Sequence, residues 1–297
     1  MSQIKRVGIT GASGFIGSLL TKMIDVPTTS QYDILTGQDI TQTSTQMDCV
    51  ASSDVIVHLA AISGLKACED NKDYATLLNT EATVNLAHKA KDAGVRRFIF
   101  PSSSAVYGES QDFRMTETHL TDPRSHYGVT KLYAEQIMKL ADRHFEVVIL
   151  RKSNLYGYGM VWKGITVIDK FLEKYLAHEP LPITGTGSQR RDFVHVVDVA
   201  GLYAKLAKAT KVRSGIYNIG GGECISIREL AEMVNDCGEA ILGYRVGLDF
   251  KPATSEALWH DFTYDFSKAQ REFQFKPSIN IKFYIQERLL KHLRERP

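Results

Sequence analysis

Residues 11–17 read Gly11-Ala12-Ser13-Gly14-Phe15-Ile16-Gly17, and this stretch decides the fold that the sequence predicts. An apolar run from Ile4 to Ile9 precedes it and predicts a strand, and residues 18–24 follow with the pattern of an amphipathic helix. A strand that turns on glycines into a helix directs backbone N–H groups and the positive end of the helix dipole at one point. That point suits a pyrophosphate, although the spacing is G-x-x-G-x-x-G and the glycines alone leave an ordinary turn open.

Length, composition and charge limit the class of protein. The chain has 297 residues, 43% of them hydrophobic and 24% charged, which is ordinary for one large or two small globular domains. A net charge of +2 without a long basic run argues against a nucleic-acid partner. We expect no membrane partner and no signal peptide, because no apolar run has the required length. The scattered cysteines argue against disulfides or a metal site and indicate a reducing cytoplasm; they are Cys49, Cys68, Cys224 and Cys237.

The second strand bears on the choice of cofactor. We predict it over Tyr32–Thr36, leading into Gly37. A dinucleotide fold that selects NAD usually has an acidic residue at the end of this strand. The predicted end has no carboxylate, Asp33 lies too early, and no arginine is present for a 2′-phosphate. The cofactor is therefore predicted as NADP or NAD, with a preference for NADP or dual use. Asp39, beside Ile40, is a candidate for the adenine amine, and a turn or helix-cap carboxylate is an equal alternative.

The next strand is predicted over Val55–Leu59 and ends in small residues. Small side chains there allow a cofactor to lie across the carboxyl ends of the strands. The candidate contacts are Leu59, Ala60 and Ala61. His58 lies within the apolar run and is interpreted as a core histidine. Asn79, at the start of a helix predicted over 79–93, is a further candidate for the cofactor.

A tyrosine and a lysine four residues apart indicate acid/base chemistry. Tyr127 and Lys131 open a helix predicted to run to about His144, so both project from one face. An ammonium beside a phenol should lower the tyrosine pKa from about 10 toward neutrality. The strand predicted over 98–100 runs into a serine cluster, and a serine hydroxyl nearby can hold a carbonyl oxygen. Together these groups form a proton donor and acceptor for a carbonyl/alcohol pair.

The chain resembles the extended short-chain dehydrogenase/reductases, the group of nucleotide-sugar epimerases, dehydratases and 4-ketoreductases, over nearly its whole length. The motifs that carry the resemblance are T-G-A-S-G-F-I-G (10–17), H-L-A-A (58–61), S-S-S-A-V-Y-G (102–108), Y-G-V-T-K (127–131), L-R-K-S-N-L-Y-G (150–157), R-R-D-F-V-H-V-V-D-V-A (190–200) and Y-N-I-G-G-G (217–222). The resemblance implies an α/β fold, a Rossmann-like doubly wound parallel sheet with a smaller C-terminal substrate-binding region. The implied division is a cofactor domain of residues 1–154 plus 194–222, a substrate region of 155–193 plus 223–276, and a C-terminal helix in 277–297.

The resemblance also implies a role for each matched residue. Tyr127 would be the general acid/base, Lys131 its partner on the nicotinamide ribose, and Ser103 the catalytic hydroxyl. The cofactor contacts would be Gly11, Ser13, Gly14, Phe15, Ile16, Gly17, Asp39, Ile40, Leu59, Ala60, Ala61, Asn79, Tyr127 and Lys131. The substrate contacts would be Ser103, Ser104, Asn154 and Arg191, of which the last two hold the diphosphate. A surface ion pair with Asp192 or Asp198 is the alternative use of Arg191.

Departures from the family pattern guide the choice of reaction. Dehydratases of this group carry an Asp-Glu pair where this chain has Ser104-Ala105, which argues against 4,6-dehydration. Many family epimerases keep a basic residue and an aspartate where the chain has Lys251-Pro252-Ala253-Thr254. The missing ribose carboxylate and the compact second strand favour an NAD(P)-dependent reductase that acts on a nucleotide-linked 4-keto-6-deoxyhexose.

A UDP-hexose 4-epimerase is the alternative that the sequence leaves open. A non-catalytic dinucleotide sensor ranks lower, because it would not need the Tyr127–Lys131 pair, and so does a polyol or steroid dehydrogenase. The substrate nucleotide is predicted as dTDP, UDP or GDP. The resemblance implies a homodimer built from helices such as 79–93 and 127–144.

Overall fold

The computed structural model describes residues 3–109, 112–141, 145–158, 166–252 and 263–295. The strands in these ranges are β1 (Arg6–Thr10), β2 (Thr28–Tyr32), β3 (Val55–His58), β4 (Arg97–Ser103), β5 (Arg114–Met115), β6 (Glu146–Lys152), β7 (Asn154–Tyr156), β8 (Leu181–Thr184), β9 (Arg190–His195), β10 (Gly215–Ile219), β11 (Cys224–Ser226), β12 (Leu248–Lys251) and β13 (Thr263–Tyr264). The α-helices are α1 (Gly17–Met23), α2 (Thr43–Ala51), α3 (Leu65–Asp70), α4 (Lys72–Thr76), α5 (Thr83–Asp92), α6 (His126–Ala141), α7 (Val167–Leu176), α8 (Val196–Lys208), α9 (Ile227–Leu242), α10 (Ser267–Phe273) and α11 (Ile281–Arg294). A π-helical turn spans Leu77–Ala82, and 3-10 turns span Ile34–Thr36 and Ser104–Val106.

A six-stranded sheet in the order β2-β1-β3-β4-β6-β10 forms the centre of the fold, and all its strands are parallel. The chain moves from β1 outward to β2 on one side and then returns to β3 on the other. The strand order therefore reverses between β1 and β3, and doubly wound folds form their ligand-binding crevice at the carboxyl ends of the strands at such a reversal. The predicted Rossmann-like doubly wound sheet is confirmed.

Helices cover both faces of this sheet, so its central strands are continuous apolar runs. Successive residues of a strand point to opposite faces of the sheet, so each face has its own hydrophobic core. On one face, Ile99 packs in a core with residues of α1 and α8. On the other face, Phe98 and Phe100 pack in a core with residues of α5 and α6. The helix that carries Tyr127 is in this way fixed against the strand that ends at the serine cluster.

A third core lies in the C-terminal part of the chain and joins α7, α9 and α11 with β8 and part of β9. Ser226 caps α9 in a capping box with Glu229, as its spacing indicates, and Asn280 caps α11. The last helix, α11, packs within this third core. In the described part of the chain, no helix has both the length and the apolarity needed to span a membrane.

The prediction of the second strand is wrong by four residues. The strand is Thr28–Tyr32, and residues 34–36 form a 3-10 turn in which Ile34 and Leu35 are 59% and 74% exposed. β2 is an edge strand with only one fully buried side chain, so its sequence lacks the apolar pattern of a central strand. The prediction placed the strand too late because Ile34 and Leu35 in the turn are apolar. The helix predicted to reach His144 begins at His126 and is described as far as Ala141.

Candidate active site

The glycine turn at the carboxyl end of β1 leaves no room for a side chain at Gly11 or Gly17. Gly11 has φ +66°, and a Cβ there would lie 2.6 Å from the Ala60 nitrogen. A Cβ on Gly17 would lie 2.2 Å from the Gly11 oxygen. The turn is therefore lined by backbone and lies against the segment that follows β3. A backbone-lined turn between a strand and a helix fits the pyrophosphate of a dinucleotide, which must approach the main chain closely.

Asp33 stands directly after β2 and beside the glycine turn. Its carboxylate accepts hydrogen bonds from the backbone N–H of Ser13 at 2.9 Å and of Leu35 at 3.0 Å. Burial by itself would raise the pKa of Asp33, but hydrogen bonds from Ser13 and Leu35 hold it below its usual value. The prediction that no carboxylate ends the second strand is therefore wrong, because the strand ends four residues earlier than its apolar residues indicate. Correct placement of β2 would have identified Asp33 from sequence.

The segment after β3 closes the other side of the crevice. Leu59, Ala60 and Ala61 are all partly buried, and the Ala60 N–H donates to the Thr10 hydroxyl at 3.1 Å. His58 lies below them, with its ring nitrogens 2.7 Å and 2.8 Å from the hydroxyls of Thr10 and Thr83. Burial lowers the pKa of His58 to about 3. The histidine is therefore neutral and satisfied within the core, as its apolar surroundings indicate.

Two further cofactor candidates have contacts within the protein. Asp39 accepts a hydrogen bond from the Thr41 N–H at 2.9 Å, which is the turn role that the sequence left open, and the neighbouring Ile40 is buried. Asn79 is fully buried in the π-helical turn and exchanges hydrogen bonds with the Ile62 backbone at 2.9 and 3.0 Å. These contacts make Asn79 a support for the segment after β3.

The structure brings Ser103, Tyr127 and Lys131 together. Ser103 lies at the carboxyl end of β4, and the other two residues lie in the first turns of α6. The Ser103 hydroxyl lies close enough to the Tyr127 hydroxyl to lower the pKa of that phenol in part. The Lys131 side chain is 3% exposed, and its Nζ lies 5.9 Å from the centre of the Tyr127 ring and 5.0 Å from that of Phe100. A hydroxyl, a phenol and an ammonium thus converge beside the crevice, which is the arrangement that the motifs predict.

The predicted direction of the Tyr127 pKa shift is wrong in this structure. Burial raises the pKa of Tyr127 to about 12, and the interaction with the Ser103 hydroxyl only partly offsets this rise. Burial also lowers the pKa of Lys131 to about 8, which weakens the ammonium as a partner for a phenolate. Removal of both groups from water therefore outweighs the attraction on which the prediction relied.

A buried ion pair supports this site from below. The Glu135 carboxylate on α6 accepts hydrogen bonds from the Arg151 guanidinium of β6, the shortest at 2.6 Å, and from the Ser102 hydroxyl of β4. The guanidinium also stacks 4.7 Å from the centre of the Tyr107 ring. One carboxylate thus ties together the helix that carries Tyr127 and the strands beside Ser103. Sequence reasoning missed this pair, because its members are 16 residues apart on different elements.

The proposed diphosphate contacts lie on neighbouring strands. Asn154 on β7 is exposed and donates to the Asp192 carbonyl at 3.1 Å, and Arg191 on β9 is partly buried. The carboxylate of Asp192 is buried and accepts from the Thr263 hydroxyl at 2.6 Å, whereas Asp198 accepts from the Ser278 hydroxyl at 2.6 Å. Both aspartates named in the ion-pair alternative are thus engaged in holding other segments.

Ser104 and Lys251 lie at positions where the chain departs from the pattern of the dehydratases and epimerases. Ser104, which replaces the first acid of the dehydratase pair, is partly buried. Lys251 pairs with Asp249 at 2.6 Å, and positions 253 and 254 lie outside the described residues. The hydroxyl of Ser104 therefore stands where a dehydratase would place an ionisable acid.

Comparison with known proteins identifies the family. The profile of the NAD-dependent epimerase/dehydratase family matches residues 7–220, so the chain belongs to this family and the predicted resemblance and nicotinamide cofactor are confirmed. A putative UDP-glucose 4-epimerase of Methanocaldococcus jannaschii is 32% identical over 283 residues, which cover 83% of this chain and 90% of that protein. A dTDP-4-dehydro-6-deoxy-D-allose reductase of a Streptomyces species is 34% identical over 214 residues, which cover 67% and 63%. MoeE5, solved in complex with UDP-glucuronic acid and NAD, has a TM-score of 0.83 and 29% identity, with 97% of this chain and 99% of that chain covered.

Proposed function

We propose that the protein is an NAD-dependent 4-epimerase of a UDP-linked hexose. The observation that carries the proposal is the Asp33 carboxylate at the end of β2, because a carboxylate there suits the ribose hydroxyls of NAD and repels the 2′-phosphate of NADP. The sequence argument for a reductase relied on the absence of this group. The similarity to UDP-sugar 4-epimerases supports the same conclusion.

The residues of the site have distinct roles in this proposal. The glycine turn holds the pyrophosphate, Asp33 the adenosine ribose, and Lys131 the nicotinamide ribose. When bound, the dinucleotide supplies a hydride acceptor and a positive ring that favours the phenolate of a nearby tyrosine. Tyr127 removes the proton from the sugar 4-hydroxyl and returns it after the sugar has turned, while Ser103 holds the 4-oxygen. Arg191 anchors the diphosphate, with Asn154 beside it, so that the sugar alone can rotate.

A 4-ketoreductase is the second candidate, and the similarity to a 4-dehydro-6-deoxy-sugar reductase favours it. The two reactions share the Ser103–Tyr127–Lys131 chemistry and differ in whether oxidised cofactor is released. A dehydratase is disfavoured, because neither Ser104 nor Ala105 can act as an acid at neutral pH.

The experiment that separates the candidates uses two substrates. The purified protein, without added cofactor, should interconvert UDP-glucose and UDP-galactose, detected by chromatography. Net oxidation of NADH or NADPH by a dTDP- or UDP-linked 4-keto-6-deoxyhexose, without interconversion of UDP-hexoses, would contradict the epimerase and support the reductase.

Asp33→Asn should weaken the preference of the protein for NAD⁺ over NADP⁺ by at least about tenfold, since it removes one negative charge from a partly desolvated site. The amide oxygen can still accept the Ser13 N–H, whereas the bond from the Leu35 N–H is lost, because the amide nitrogen is a donor. The ratio of the two dissociation constants, measured by calorimetry, checks this. Asp25→Asn, an exposed position after α1, is the control. An unchanged ratio in Asp33→Asn would remove the main support for NAD.

We propose a homodimer formed through α6. The resemblance implies this helix as part of the interface, and its exposed face carries an apolar stripe. Val129, Tyr133 and Leu140 lie on one helical face and are 49%, 57% and 64% exposed. Tyr74 and Leu77 add exposed apolar surface in the neighbouring α4 and π-helical turn. A contiguous apolar stripe of this kind is typical of a protein–protein interface.

Tyr133→Glu should convert the dimer to a monomer, because it places a charge in the middle of the apolar stripe. Light scattering after gel filtration measures the mass of the particle. Leu293→Glu on α11, a 44% exposed leucine outside the stripe, should leave the mass unchanged. A wild-type protein that is already monomeric would refute the proposed dimer.

We also propose that the domain division implied by the resemblance holds in function, with 1–154 plus 194–222 binding the cofactor and 155–193 plus 223–276 the sugar. The separate third core supports a distinct substrate region, and α11 packs within that core. The proposed location is the cytoplasm, and the four cysteines are free thiols.

A further inference from the structure

Lys152 is a second lysine beside the proposed reaction centre. It is the last residue of β6 and pairs in register with Ser103 on β4 and with Ile219 on β10. Paired residues of neighbouring strands point to the same face of a sheet, whereas the preceding Arg151 points to the opposite face, toward α6. The Lys152 ammonium donates a hydrogen bond to the Ser102 carbonyl on the neighbouring strand β4 at 2.9 Å. It therefore lies at the strand ends next to the serine that contacts Tyr127.

Lys152 lies beside Ser103, and the Lys131 ammonium lies near the Tyr127 ring. Burial, followed by repulsion from Lys131, lowers the pKa of Lys152 to about 7. Within the described ranges, neither lysine forms an ion pair; the Glu135 carboxylate, which attracts Lys131, is bonded to Arg151 and Ser102. Two lysine side chains that have no paired anion in the described ranges thus lie at the end of the crevice that carries the acid/base tyrosine.

We propose that Lys152 is a second cation at the nicotinamide end of the cofactor site and shifts the bound cofactor toward its reduced form. This inference rests on the proposed function, in which the nicotinamide lies beside Tyr127 and Lys131. The oxidised ring carries a positive charge and the reduced ring carries none. A nearby cation in a partly desolvated site therefore destabilises only the oxidised form. In a 4-epimerase this favours the half-reaction that oxidises the sugar.

The test compares the affinities of the full-length protein for NAD⁺ and NADH. In Lys152→Met the ratio of the dissociation constant for NAD⁺ to that for NADH should fall at least about tenfold, because the oxidised form is no longer repelled. A tenfold change corresponds to about 30 mV in the potential of a two-electron couple. Lys152→Arg keeps the charge and should keep the ratio within about threefold of the wild type.

Lys268→Met is the matched control. Its ammonium also donates to a strand carbonyl, that of Ile216 at 2.7 Å, but Ile216 lies near the opposite end of β10 from Ile219. The control should therefore leave the ratio unchanged. Lys152→Gln serves as a second uncharged variant that retains a hydrogen-bond donor for the Ser102 carbonyl.

The outcomes separate the inference from the proposed function. If Lys152→Met and Lys152→Gln weaken NAD⁺ and NADH equally, the lysine only holds the Ser102 carbonyl and the inference is wrong, although the proposed function stands. If the wild-type protein binds neither form, the proposed function fails and this inference fails with it. A gain in affinity for NAD⁺ relative to NADH in both uncharged variants, and not in Lys152→Arg, supports the redox role.

Discussion

Tyr127→Phe should lower kcat by about a thousandfold, within the range of about 10² to 10⁴ that a positioned general acid/base contributes. The ring stays in place, so the packing of α6 is preserved. Only the hydroxyl that is proposed to exchange a proton with the sugar is lost. Ser103 retains a partner, because its Oγ also accepts the Ala105 N–H at 3.2 Å. We therefore expect nearly unchanged stability and NAD⁺ affinity, measured by urea unfolding and calorimetry alongside kcat.

Tyr133→Phe is the matched control for this experiment. Tyr133 lies on the same helix and is 57% exposed, on the face opposite the crevice. Loss of the Tyr133 hydroxyl should change kcat by less than about twofold. If Tyr127→Phe keeps more than a tenth of the wild-type kcat with either candidate substrate, Tyr127 is not the group that moves the proton.

The parts of this protein that could be predicted from sequence are those fixed by local pattern. Central strands buried on both faces are continuous apolar runs, and the glycine turn marks the end of the first of them. Tyr127 and Lys131 are four residues apart, so helical geometry alone places them on one face. Their convergence with Ser103 followed from the parallel order of the strands, which brings the carboxyl ends of β4 and the start of α6 to the same edge.

The parts that could not be predicted depend on burial and on distant segments. Asp33 was misplaced because an edge strand needs no apolar alternation, and the exposed Ile34 and Leu35 resemble strand residues. The direction of the Tyr127 pKa depends on how deeply the phenol lies, which spacing does not reveal. The position of Lys152 beside Ser103 follows from the register between β4 and β6, which no local pattern encodes.

Glu135→Leu should lower the free energy of unfolding by about 3–5 kcal/mol, because it leaves the Arg151 guanidinium buried without its carboxylate. Arg151 is 2% exposed and Glu135 is fully buried. Burial by itself would lower the pKa of Arg151, yet the hydrogen bonds to Glu135 raise it above its usual value, so the guanidinium stays charged in the core. A loss of this size is a large share of the stability of an ordinary domain. Urea unfolding followed by circular dichroism measures it.

A surface ion pair of nearly equal length provides the control for this loss. Arg245 and Glu232 are 2.7 Å apart, and Glu232→Leu should cost no more than about 1 kcal/mol, because water screens exposed charges. The double variant Glu135→Leu with Arg151→Met should recover much of the lost stability, since it removes the stranded charge. It should not recover activity, because the apolar pair cannot bond the Ser102 hydroxyl and fix the strand end beside Ser103. Recovery of both would mean that the pair stabilises the fold without positioning the site.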